Sequence, residues 1–155
     1  MIAGRSGSAM TAEIGSMKMR EEVDALTVIG LNPIGVLVFP RLVALVISLP
    51  LLTFLANMAA LAGAAMVLRF YSDVSLDDFI MRLRNGIDLS TVFSGLIKAP
   101  FMAIIIGTMA AVEGLKVEGS AESVGRRTTS AVVKAIFFVI VIDGLFAMFY
   151  AAIDY

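Results

Sequence analysis

Three long apolar stretches alternate with shorter polar segments along the chain. They cover residues 36–68, 89–112 and 131–155, and each exceeds the ~20 residues that a helix needs to cross the hydrocarbon core of a bilayer. A helix is the expected form, because it satisfies its backbone hydrogen bonds within one segment. The pattern therefore predicts an all-α, polytopic membrane protein with three transmembrane helices. Pro40 and Pro50 in the first stretch predict a kink or an interfacial first turn there.

Two polar segments join these stretches. In residues 69–88, Ser75 and Asp78 resemble a capping box and Phe79, Ile80 and Leu83 share one face, so a short surface helix is expected. Residues 113–130 are rich in Gly, Ser and charge without apolar periodicity, and are predicted to form a loop. More Lys and Arg residues lie in residues 1–35 and 113–130 than in 69–88, which places the first two segments in the cytoplasm and the third in the periplasm.

The polar segment before the first stretch carries its own stripe. Small and apolar residues recur at spacings of four and three, which predicts one amphipathic helix ended by Gly30 and Pro33. The stripe consists of Ala12, Ser16, Met19, Val23 and Leu26. Its polar faces are acidic on balance, which favours a protein groove over a membrane surface. An ordinary solvated connecting helix is the alternative interpretation.

Composition supports the membrane assignment and excludes most enzyme chemistry. Apolar residues make up 59% of the 155 residues and charged ones 16%, and the mean hydropathy is +0.95. The chain has no Cys and no His, so the Gly4-Arg5-Ser6-Gly7 run, which looks like an intramembrane serine protease motif, lacks a histidine base. That run does not continue into a nucleotide-binding phosphate loop either. No catalytic, cofactor or metal site is expected on this chain.

The opening segment resembles the MlaE/YrbE-type permeases of ABC transporters that work with MCE-domain lipid-binding proteins. That family's pattern runs A-G-R-x-G-S-A-x-x-A-E-I/L-G-x-M, then D-A-L, then G-x-x-P. The matching residues are Ala3-Gly4-Arg5, Gly7-Ser8-Ala9, Ala12-Glu13-Ile14-Gly15, Met17, Asp24-Ala25-Leu26, Gly30 and Pro33. Pro40-Arg41 and Val124-Gly125-Arg126 agree further, whereas Arg127 stands where the family often has Ala.

The resemblance implies a homodimeric permease in the bacterial inner membrane, with a cytoplasmic ATPase dimer below it and a periplasmic MCE-domain protein above. ATP and Mg²⁺ belong to the ATPase. Members of this family have about a hundred further residues at the N-terminus, so the chain is expected to lack the N-terminal part of the family domain. On this resemblance, the charged helix is a coupling element that transmits the conformational change of the ATPase to the spans. Its contact residues are expected to be Glu13, Gly15, Met17, Met19, Glu22, Val23, Asp24 and Leu26.

Inside the membrane, the second span repeats a small residue at every fourth position. The residues are Gly95, Ala99, Ala103, Gly107 and Ala111, a pattern that lets helices approach closely. Packing within the chain is favoured over a dimer seam.

Two ionisable residues, Lys98 and Asp143, are placed ~15 and ~12 Å from the outer boundary of the hydrocarbon. We expect them to pair directly, or through Asn57 or water, because an unpaired charge at this depth costs several kcal/mol. A structural role is favoured over contact with a lipid headgroup.

Taken together, these features predict the membrane-spanning subunit of an ABC transporter for phospholipid or a related hydrophobic substrate, with no enzymatic activity of its own. The spans offer few polar groups for a hydrophilic solute. A membrane-embedded enzyme or assembly subunit without an ATPase partner is the alternative. An ion channel ranks lower, because no filter-like loop is visible.

Overall fold

The protein was analysed as a computed structural model that describes residues 2–72, 74–87 and 89–153. Over these residues the chain is helical, with no strand. The helices are α1 (Ile2–Met19), α2 (Glu22–Val28), α3 (Phe39–Ser72), α4 (Leu76–Gly86), α5 (Leu89–Leu115) and α6 (Ala121–Ala152), and a π-helical turn at Ile34–Val38 precedes α3. The all-α prediction is confirmed.

Three helical segments are long and apolar enough to cross a bilayer. They are Ile34–Tyr71, Ser90–Leu115 and Ala121–Ala152, and they contain most of the three predicted spans. A π-helical turn ends two residues before Pro40, at the start of the first span. At Pro50, by contrast, α3 continues as a helix. The predicted irregularity therefore occurs at the start of the first span.

The predicted surface helix is α4. Its N-cap is Ser75, whose hydroxyl accepts a hydrogen bond from the backbone N–H of Asp78 at 3.2 Å and lies 2.8 Å from the Asp78 carboxylate. This satisfies one of the free N–H groups at the start of the helix. The short helix that the sequence predicted is confirmed, with Ser75 as its N-cap.

The prediction of a loop over residues 113–130 is wrong. The α5 helix continues to Leu115 and α6 begins at Ala121, so only five residues lie between the two helices. The start of α6 is fixed by Ser120, whose hydroxyl accepts a hydrogen bond from the N–H of Ser123. Buried Ser123 and Ala131 then hold the polar first turns of α6 against the protein, so helix formation does not require apolar periodicity there.

The prediction of a single helix through the stripe from Ala12 to Leu26 is also wrong. The chain breaks between Met19 and Glu22, and Glu21 adopts a left-handed conformation with φ of 60°. Met19 therefore ends α1, whereas Val23 and Leu26 belong to α2. Gly30, with φ of 88°, follows α2 as the sequence predicted.

The chain divides into two compact units. The first comprises Met1–Val46 and Phe101–Tyr155, and the second comprises Ile47–Pro100. The core of the first unit brings together α1, the turn before α3, and the end of α5, through Met10, Ile14, Val38, Ala110, Ala111 and Leu115.

Candidate functional site

The α1 helix lies between α5 and α6. A Cβ atom at Gly7 would lie 3.6 Å from Ile106 of α5 and 3.8 Å from Ala135 of α6, and one at Gly4 would lie 3.4 Å from Val132. Small residues on α1 thus allow the three helices to approach closely. Because these neighbours belong to membrane-spanning segments, the first half of α1 runs beside the spans. The sequence had placed all of residues 1–35 ahead of them.

A buried hydroxyl joins α1 to α5. The side chain of Thr11 is fully buried, and its hydroxyl donates a hydrogen bond shared between the carbonyl oxygens of Gly7, at 2.8 Å, and Ala110, at 3.1 Å. One turn further along, a Cβ at Gly114 would lie 2.9 Å from the Cβ of Ile14. The two helices are therefore in backbone contact at this level.

A buried carboxylate joins α5 to α6. Glu113 is 1% exposed, and its Oε1 accepts a hydrogen bond from Nζ of Lys134 at 2.5 Å. Its Oε2 lies 3.4 Å from Nη1 of Arg127, which also approaches the Glu118 carboxylate at 3.9 Å. Arg127, a departure from the family pattern, thus has a partner in Glu113.

An ion pair joins α1 to the start of α3. Nη2 of Arg41 lies 2.6 Å from Oε1 of Glu13, and Nη1 donates to the carbonyl of Leu37 at 2.9 Å. The hydrogen bond from Arg41 lowers the pKa of Glu13 below its ordinary value of 4.5. The pair fixes both ends of the segment that contains α2.

The α2 helix is held against the end of α1. Lys18 pairs with Asp24 at 2.6 Å, which bridges the break between the two helices. Val23 is only 4% exposed. Short as it is, α2 is therefore attached to α1 by an ion pair and by a buried side chain.

Large apolar side chains are exposed from the last residue of α2 onwards. Val28 is 88% exposed, Ile29 73% and Leu31 47%. We call these three residues the apolar tip. These residues were not predicted from the sequence, because the helical stripe ends at Leu26, although a V-I-G-L run between a charged helix and Pro33 indicates an exposed apolar turn.

The structure distributes the predicted coupling residues between two environments. Val23 and Gly15 are packed inside the chain, and a Cβ at Gly15 would lie 2.8 Å from Val117. Glu13 and Asp24 are exposed and engaged in ion pairs, whereas Met17, Met19, Glu22 and Leu26 are half-buried. Contact of these residues with an ATPase stays a prediction.

The small-residue stripe of α5 is mostly packed within the chain. Ala99, Ala103 and Ala111 are buried, and a Cβ at Gly107 would collide with the side chain of Leu42. Gly95 faces open space. Close intrachain packing accounts for four of the five positions.

The three intramembrane polar residues are divided between the units. Asn57 and Lys98 belong to the second unit, and Asp143 belongs to the first. The Asn57 side chain is exposed and lines a cavity described below. Pairing of Lys98 with Asp143 stays a prediction.

The family model described as "Permease MlaE" matches residues 1–149. The chain belongs to the MlaE permease family. Its position in that family makes it a multi-pass membrane protein, consistent with the three apolar helices.

Several curated relatives of this MlaE-family chain are named as permeases. It is 36% identical over 149 residues to the probable ABC transporter permease protein ycf63 of Pyropia yezoensis, covering 96% of this chain and 57% of that one. It is also 36% identical over 141 residues to the probable permease slr1045 of Synechocystis, covering 91% and 54%.

A third relative is the chloroplastic protein TRIGALACTOSYLDIACYLGLYCEROL 1 of Arabidopsis thaliana. It is 31% identical over 150 residues, which cover 97% of the MlaE-family chain and 43% of the plant protein. The chain thus spans about half the length of the curated relatives it matches.

Proposed function

We propose that this chain is the membrane-spanning subunit of an ABC transporter that moves phospholipid or a related hydrophobic substrate between the bacterial inner membrane and a periplasmic MCE-domain protein. Membership of the MlaE permease family supports the transporter class. The Arabidopsis relative is named after a glycolipid, trigalactosyldiacylglycerol, which favours a lipid substrate. The chain acts as a homodimer, and ATP and Mg²⁺ are bound by a separate ATPase.

The observation that carries the proposal is the apolar tip. Val28 and Ile29 are largely exposed at the end of a charged segment, six and five residues before the first span begins at Ile34. An exposed apolar cluster of this kind marks a protein contact. Charged residues around it, including Glu21 and Asp24, make a flat membrane surface a less suitable partner than a protein groove.

Movement of the tip would be passed on to the spans through fixed contacts. The Glu13–Arg41 pair connects α1 to α3, the Thr11 hydroxyl connects α1 to α5, and Glu113 connects α5 to α6. Coupling between distant sites requires a connected set of packed elements of this kind. In this mechanism the ATPase binds the apolar tip and α2. Closure of the ATPase dimer then displaces α1 together with all three spans.

Reconstitution tests the proposal directly. The full chain is placed in phospholipid vesicles with an ABC ATPase of the same organism, and both ATP hydrolysis and transfer of a fluorescent phospholipid to an MCE-domain protein are measured. We expect the chain to stimulate hydrolysis, and transfer to require ATP; an ATPase without its phosphate-loop lysine is the control. If the rate of ATP hydrolysis were the same with and without the chain, the result would favour a membrane-embedded enzyme or assembly subunit without an ATPase partner.

A further inference from the structure

The second unit contains an open groove between three of its elements. Two adjoining cavities, of about 420 and 380 Å³, share Leu61 of α3, Ile87 at the end of α4, and Val92 of α5. Ile80 and Leu83 of α4 extend the groove at one end, and Phe54 and Leu96 extend it at the other. Every residue that lines it belongs to Ile47–Pro100.

The groove runs from the end of a span into the membrane. Thr91 and Val92 lie in the first turn of α5, where the span begins, and Leu96 lies about 8 Å further along the helix axis. The amphipathic α4 helix lies at the open end. A groove in this position faces acyl chains along its length and headgroups at its mouth.

Polar side chains occur at two places along this apolar groove. Arg84 lines the end formed by α4 with the apolar part of its side chain, so its guanidinium lies outside the cavity wall, and no other described residue forms an ion pair with it. Asn57 and Thr91 line the other cavity, and the side-chain amide of Asn57 has no hydrogen-bond partner among the residues that the structure describes. An amide left without a partner in hydrocarbon is costly, so a ligand that supplies acceptors is favoured there.

We propose that this groove binds a phospholipid with a net negative headgroup. One acyl chain lies along Leu61, Val92 and Leu96, the ester oxygens accept hydrogen bonds from Asn57, and the phosphate pairs with Arg84. Guanidinium groups bind phosphate through paired hydrogen bonds. In an anionic headgroup that carries no ammonium group, no cation of the lipid itself competes with Arg84 for the phosphate. The site goes beyond transport, because occupancy requires neither ATP nor a partner protein.

The absence of Trp from the chain provides a clean measurement. A Phe54→Trp variant of the full chain carries a single fluorescent indole in the groove, and Phe137→Trp carries one at an exposed position of α6 that does not line the groove. Each variant is reconstituted in phosphatidylcholine vesicles that contain a minor fraction of phosphatidylglycerol with brominated acyl chains. Bromine quenches only an indole in contact with that lipid.

We expect quenching of the Phe54→Trp reporter to correspond to a local concentration of the anionic lipid about fivefold above its bulk fraction. One basic residue near a membrane surface typically produces an enrichment of this size. The Phe137→Trp reporter should follow the bulk composition. Adding Arg84→Gln should remove the enrichment, whereas the matched change Arg82→Gln, on the same helix but outside the groove, should retain it.

Three outcomes would overturn the proposal. Equal quenching of the two reporters would mean that the groove does not select a lipid. Enrichment that survives Arg84→Gln would mean that the headgroup is not held there. No quenching of the Phe54→Trp reporter would mean that protein, from this polypeptide or a second copy, fills the groove. None of these results depends on ATP hydrolysis, so they do not bear on the proposed transport function.

Discussion

Lys134 donates a hydrogen bond from its ammonium group to the buried carboxylate of Glu113, with Nζ 2.5 Å from Oε1. The two residues are unequal in exposure, since the side chain of Glu113 is 2% exposed and that of Lys134 is 46% exposed. A cation that loses its partner here can turn towards water. The carboxylate cannot, and this asymmetry determines what mutations should do.

Removing both cations should cost more than removing the carboxylate. In Arg127→Met with Lys134→Met, Glu113 is left charged and buried, which should lower the free energy of unfolding by about 3 kcal/mol or more. Glu113→Gln leaves two partly exposed cations and should cost about 1 kcal/mol. Thermal unfolding in detergent compares the variants, with exposed Arg126→Met of α6 as the control. Equal costs would contradict the assigned burial of Glu113.

The Glu13–Arg41 pair should make stability depend on pH. Because the pKa of Glu13 is lowered in the folded protein, its contribution is fully present above the unfolded value near 4.5 and is lost as the pH falls through the folded pKa. The Glu13 side chain is 58% exposed, so the contribution should stay below about 1 kcal/mol.

We therefore expect Glu13→Gln to lower the melting temperature at neutral pH, by an amount that shrinks below pH 4.5. Melting temperatures of the two proteins across the acidic range measure this. Glu21→Gln, which changes an exposed carboxylate outside the described ion pairs, serves as the control. A difference between wild type and Glu13→Gln that is constant with pH would rule out the pair as its cause.

Two glycines of α5 should respond differently to the same substitution. A Cβ at Gly114 would lie 2.9 Å from Ile14 Cβ and 3.3 Å from the Thr11 carbonyl, whereas Gly95 has nothing within 4 Å. Gly114→Ala should lower the free energy of unfolding by about 1–3 kcal/mol, because it forces α1 away from α5. Gly95→Ala should be neutral or slightly stabilising, because Ala favours helix. Unfolding of both variants in detergent provides the comparison, and equal effects would contradict the packing of α1 on α5.

The three spans could be predicted from sequence because a bilayer demands long apolar segments regardless of how they pack. The capped helix after Ser75 was equally readable, since its signal lies within four residues. The polar start of α6 was not readable, because what holds it is a long-range contact: Arg127 and Lys134 meet a carboxylate on another helix. A charged segment without apolar periodicity is predicted to be a loop as long as the residue that pairs with its charges is unknown.

The break between α1 and α2 escaped prediction for a different reason. The stripe from Ala12 to Leu26 continues through Arg20 and Glu21 with unchanged spacing, and neither residue is Gly, Pro or Asn. The left-handed Glu21 is tolerated because Lys18 and Asp24 pair across it and Val23 is buried. As a result, the apolar side chains that remain exposed lie beyond the stripe, at Val28 and Ile29.

Because the exposed apolar side chains lie at Val28 and Ile29 and not along the stripe, a mutation at the apolar tip is the suitable test of ATPase docking. A charge at Val23 would disrupt the protein itself, because that side chain is 4% exposed, whereas Ile29 is 73% exposed and can be replaced without disturbing the core. We expect Ile29→Asp to change the free energy of unfolding by no more than a surface substitution does, about 0.5 kcal/mol, but to reduce co-purification of the ATPase and its stimulation at least tenfold. Met81→Asp places the same charge at a comparably exposed apolar position of α4, 62% exposed, and should leave both unchanged. If Ile29→Asp binds and stimulates the ATPase like the Met81 variant, the apolar tip is not the coupling surface.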